Sequence, residues 1–112
     1  MNVPALASVL LAASIVACAP VLVQPVPAHV ACVAAQWPQT TLDDLRRGRT
    51  LYATRCGSCH VAPLPSSRPA ALWPHVVADM VHKGKVTTED GATITRFLVA
   101  VTRCTASTEP GS

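Results

Sequence analysis

The sequence is poor in aromatic residues, in charge and in long apolar runs. Two Trp, one Tyr and one Phe make up 4% of its 112 residues. So few rings leave a short chain with a thin core, and a disulfide or a cofactor is expected to complete it. Charged residues are 13% of the chain, which excludes a solvated acidic or basic tail. A formal net charge of +3 is too small to specify nucleic acid as a partner. No Asp, Glu, Lys or Arg precedes Asp43. The apolar run from Ala5 to Ala17 is shorter than the about 20 residues a membrane-spanning helix needs. No internal repeat is present.

What is present divides into three stretches. Residues 1–17, MNVPALASVLLAASIVA, match the apolar core of a secretory signal peptide in length and composition, although no Lys or Arg leads into the run. The run ends at Ile15-Val16-Ala17-Cys18, which resembles a bacterial lipobox. That resemblance implies a diacylglycerol on the Cys18 thiol and a mature chain that begins there. Two or three acyl chains would anchor it, since one alone binds a bilayer only marginally. Ala19 after the cysteine favours the outer membrane, again by resemblance. Cleavage near Ala17, Ala19 or Ala28 without a lipid, and an uncleaved anchor, stay open. Residues 18–40 carry Pro20, Pro25, Pro27 and Pro38 and read as a mostly extended tether. Val30 to Ala35, around Cys32, could be a short packed piece. Residues 41–112 hold all the charge and read as the folded domain.

The chemistry lies in Cys56-Gly57-Ser58-Cys59-His60, a CxxCH motif. Its reading is attachment of a c-type haem. Two thiols add across the two vinyl groups as thioethers, and the next residue, His60, ligates the iron from the proximal side. An accidental CxxCH is improbable in a chain with five Cys and four His. Two other chemistries use CxxC. A thioredoxin-like redox pair wants a strand before it and a helix after it. Half of a zinc site wants a second ligand pair, and His75, His82 and Cys104 do not make one.

The flanking pattern is helical. Thr41-Leu42-Asp43-Asp44 is a start signal, with a hydroxyl cap and two acids in the first turn. Leu45, Gly48, Tyr52 and Cys56 then fall on one stripe. A Gly inside a helix costs about 1 kcal/mol relative to Ala, which makes sense where another helix crosses closely. Thr87-Thr88-Glu89-Asp90 is a second start, and Ile94, Phe97, Leu98 and Val101 form its stripe. The segment Gly48 to His60, with that second helix, resembles class I cytochromes c, in which the helix before CxxCH packs on the C-terminal one. The resemblance runs from Leu45 to Cys104. It implies an all-α fold of three helices around one covalent haem c. It also implies a prolyl carbonyl, for which Pro63 and Pro65 are candidates, that accepts a hydrogen bond from the proximal imidazole; that these prolines only shape a turn stays open.

A six-coordinate electron carrier needs a second axial ligand, for which Met80, His75 and His82 are candidates. Pro74 suits a first helical turn and Gly84 a stop, so residues 74–83 read as a short helix. Trp73, Val76, Val77 and Met80 share one face and His75, Asp79 and His82 another. If the apolar face covers the haem, Met80 is the ligand. A Met at such spacing is also ordinary core filler. Arg55, Arg68 and Lys85 are candidate propionate partners or plain surface charge.

With Cys18 assigned to lipid and Cys56 and Cys59 to haem, Cys32 and Cys104 remain as a candidate disulfide outside the cytoplasm. The expected function is one-electron transfer on the periplasmic side of a bacterial membrane, lipid-anchored or soluble, with redox proteins as partners and no catalysis by the chain itself. A haem subunit of a larger oxidoreductase, a haem-based ligand sensor and a thiol redox protein are the alternatives.

Overall fold

A computed structural model describes residues 22–57 and 61–105. The signal-peptide stretch, Cys18, Cys59 and His60 lie outside the described residues. Among the described residues four α-helices run in order: α1 Pro27–Val33, α2 Leu42–Leu51, α3 Trp73–His82 and α4 Thr88–Thr105. There is no strand among the described residues. Nor is any described helix long and apolar enough to cross a membrane.

Local chemistry places the helix ends. At α2 the Thr41 hydroxyl accepts from the Asp44 N–H at 3.1 Å, and the Asp44 carboxylate accepts from the Thr41 N–H at 2.9 Å. These two bonds satisfy donors the helix itself leaves open. They also hold the Asp44 carboxyl below the ordinary carboxylate range. At α4 the Thr87 hydroxyl accepts from the Asp90 N–H at 3.1 Å. Helix α3 closes on Gly84, whose φ of 71° suits a residue without Cβ. The Gly84 N–H donates to the Val81 carbonyl and the Lys85 N–H to the Met80 carbonyl, each at 3.0 Å, the paired bonds of a Schellman end.

Helix α4 is the centre of the molecule, with α1, α2 and α3 packed around it. Its Ile94, Phe97, Leu98, Val99, Ala100 and Val101 are buried nearly all round, so the helix is apolar on more than the single expected stripe. Leu45, Gly48 and Tyr52 of the α2 stripe are buried against it. At the crossing, a Cβ built on Gly48 would stand 2.5 Å from the Thr93 carbonyl oxygen and 2.7 Å from Phe97 Cβ. The backbones meet only because position 48 has no side chain.

The fourth helix, α1, lies inside the stretch read as a tether. Pro27 sits in its first turn, where a missing N–H does no harm. The His29 imidazole turns back, and its Nδ1 accepts from the Val26 N–H at 2.9 Å, standing in for a hydroxyl cap. Val33 is fully buried in the core. Cys32 is joined to Cys104 of α4 by a disulfide, with Cα atoms 6.2 Å apart. Closing a loop of that length contributes about 4 kcal/mol in the chain-entropy account. Further upstream, the Arg49 guanidinium donates to the Leu22 carbonyl at 3.1 and 3.3 Å, binding the segment before α1 to α2.

The Gly48 crossing gives a direct test. Gly48→Ala should gain about 1 kcal/mol of helix propensity yet lose stability overall, by about 1–3 kcal/mol, because the methyl group overpacks a backbone contact. Urea denaturation measures the difference, and an unchanged or raised midpoint would contradict the close crossing.

Candidate functional site

The last turn of α2 does not stay α-helical. Residues Tyr52–Cys56 widen into a π-helical turn that delivers the first cysteine of the CxxCH motif. Such turns gather at functional sites because the extra residue re-aims the side chains after it. Beyond the motif the chain folds back through two short 3-10 turns, Pro65–Ser67 and Ala70–Leu72, into α3. Between this return segment, the end of α2 and α3 lies a cavity of about 660 Å³. That is within the usual range for a cofactor or small-molecule site.

Tyr52, Cys56, Trp73, Val76 and Met80 line it, and Arg55, Arg68, Lys83 and Lys85 contribute its cations. Cys56 is half-buried and not in a disulfide, and burial pushes its thiol up from the ordinary value. Met80 is half-buried on the apolar face of α3, with Trp73 and Val77 buried beside it. His75, Asp79 and His82 lie on the exposed face of the same helix, and neither histidine lines the cavity.

The return segment is held by its carbonyls. The Tyr52 hydroxyl donates to the Pro63 carbonyl. The Pro65 carbonyl accepts from the Trp73 indole N–H at 2.9 Å and from the Thr102 hydroxyl at 3.3 Å. The Tyr52 and Trp73 rings meet edge to face at 5.9 Å, and Tyr52 leans on Phe97 at 6.2 Å. Tyr52 and Trp73 thus form an aromatic wall of the cavity, with Phe97 behind Tyr52 in the core. Arg68, a candidate propionate partner by sequence, stacks its guanidinium 5.2 Å from the Trp73 ring. Lys83, which the sequence reading left out, also lines the cavity, and its ammonium pairs with Asp79 at 2.7 Å. The hydrogen-bonding role of Tyr52 was missed as well, because its stripe position announces only packing.

The residues present suit a haem. The cavity is large, its wall is apolar and aromatic, a thiol and a thioether reach it from different elements, and cations are at hand for two carboxylates. The rival chemistries gain less. Among the described residues there is no strand to present a thioredoxin-like pair, and no group of three or more His, Cys, Asp or Glu is brought together.

Tyr52 offers a check on the cavity wall. Burial raises its phenol from the usual 10 to about 12. A folded-state value above the unfolded one means that this stabilisation is complete below pH 10 and is lost as pH rises from 10 towards 12. Tyr52 is the only tyrosine, so a ring-labelled sample gives one NMR titration. A midpoint near 10 would show an exposed phenol and contradict the wall.

No curated protein and no solved structure matches the chain. The family model for dihaem cytochrome c matches residues 52–111, just over half of the sequence. The match covers the CxxCH motif, the cavity-lining segment and α4. The family name specifies two haems, and this sequence contains one CxxCH. A cavity of cofactor size lined by the first cysteine of a c-type haem motif agrees with the match, and the chain belongs to the dihaem cytochrome c family, whose chemistry is haem-based electron transfer.

Proposed function

We propose that the protein is an extracytoplasmic electron carrier with one covalently attached haem c per chain. Cys56 and Cys59 would hold it through thioethers, with His60 as proximal and Met80 as distal ligand. The observation that carries this reading is that Cys56 of the motif and Met80 of α3 line one cavity. When bound, haem supplies an iron that exchanges single electrons between Fe(II) and Fe(III).

The chain's own contribution is placement and environment. Tyr52, Trp73 and Val76 exclude water from the wall, which lowers the local dielectric and penalises the extra positive charge of the oxidised centre. The cations Arg55, Arg68, Lys83 and Lys85 would offset the two propionate charges. Ligation by His and Met raises the potential relative to two His. The reading includes export and a lipid on Cys18, which would hold the domain on the periplasmic side of a bacterial membrane within reach of redox proteins; a soluble periplasmic form is the alternative. The discrepancy between a two-haem family and a single motif favours one second reading, in which the chain is a haem subunit beside another haem-bearing protein.

The ligand assignment is tested on protein made in a host equipped for cytochrome c maturation. The oxidised form should show the weak near-infrared band of sulfur-to-iron ligation. Met80→Ala should abolish it and lower the reduction potential, whereas His82→Ala should leave both unchanged. A wild type without the band, or a band that survives Met80→Ala, would contradict the assignment.

A further inference from the structure

We propose that the Tyr52 hydroxyl is a positioning group that sets the reduction potential through the Pro63 carbonyl. The inference rests on the haem reading above and concerns what lies behind the proximal ligand. Two prolyl carbonyls follow the motif, and the structure treats them differently. A carbonyl oxygen has two lone pairs. At Pro65 both are engaged, by the Trp73 indole N–H and the Thr102 hydroxyl. At Pro63 the described residues supply one donor, the Tyr52 hydroxyl. Pro63 is three residues beyond His60 in sequence and lines the cavity together with Cys56, so its second lone pair is the one the proposal assigns to the imidazole N–H.

The physical consequence has a definite sign. Two donors on one oxygen compete for its electron density, so the phenol weakens whatever bond the imidazole makes there. A weaker bond leaves the imidazole less basic and the ferric state less stabilised, which raises the potential. The phenol can act this way across the physiological range because it remains a neutral donor there. Its ring is fixed against Trp73 and Phe97, so the hydroxyl has little freedom to leave the carbonyl.

Tyr52→Phe removes the hydroxyl and keeps the ring. In matured holoprotein it should shift the reduction potential downward and move the proximal imidazole N–H resonance downfield, with the near-infrared band retained. Thr102→Val removes one donor from Pro65 and should leave both readings at their wild-type values. If Tyr52→Phe leaves the potential unchanged or raises it, or if Thr102→Val produces the downward shift, the inference is overturned while the haem reading stands. Colourless wild-type protein would overturn both.

Discussion

The α2–α4 crossing at Gly48 is the contact on which the site depends. Because no side chain stands at position 48, the α2 backbone can lie against Thr93 and Phe97. That approach sets the depth at which the next turn of α2 enters the core. It puts Tyr52 against Phe97 and Trp73 and turns the π-helical segment so that Cys56 reaches the cavity. A helix held a methyl group further away would carry the thiol and the phenol outward together. The packing energy of the core and the placement of the cavity-lining Cys56 and Tyr52 are therefore one constraint.

The same economy governs the small core. Of the four aromatic residues in the chain, Tyr52 and Trp73 form the cavity wall and Phe97 of α4 backs Tyr52 from the core. The disulfide compensates: it fastens α1, a seven-residue helix too short to persist alone, to the last turn of α4. The resulting fold is closed around α4 by one covalent bond, to α1, and leaves a cavity sized for a cofactor between α2 and α3. Hydrogen bonds from Tyr52, Trp73 and Thr102 to two prolyl carbonyls hold the intervening segment, which has little regular structure of its own.

Much of this is legible in the sequence because the signals are local. Thr41 with Asp44, Thr87 with Asp90, and Gly84 announce helix ends through bonds made within one turn. The stripes from Leu45 to Tyr52 and from Ile94 to Val101 announce the buried faces, and the spacing of Trp73, Val76, Val77 and Met80 gives the apolar face of α3, from which Trp73, Val76 and Met80 reach the cavity. Helix α1 is less legible, because four prolines suggest an extended chain and its cap is a histidine ring, not a hydroxyl. The destination of the Tyr52 hydroxyl is not legible at all: it depends on where Pro63 lies after the chain has folded back. Lys83 is hidden in the same way, since its i,i+4 pairing with Asp79 looks like an ordinary surface feature until the cavity is in place.

The central claim is that one chain carries one covalent haem. It is tested most directly by the intact mass of the denatured protein after maturation, read together with iron per polypeptide. The account gives one haem added and one iron per chain, with the addition lost when Cys56 and Cys59 are both replaced by Ala. A bare polypeptide mass, or two haems on a single chain, would contradict it.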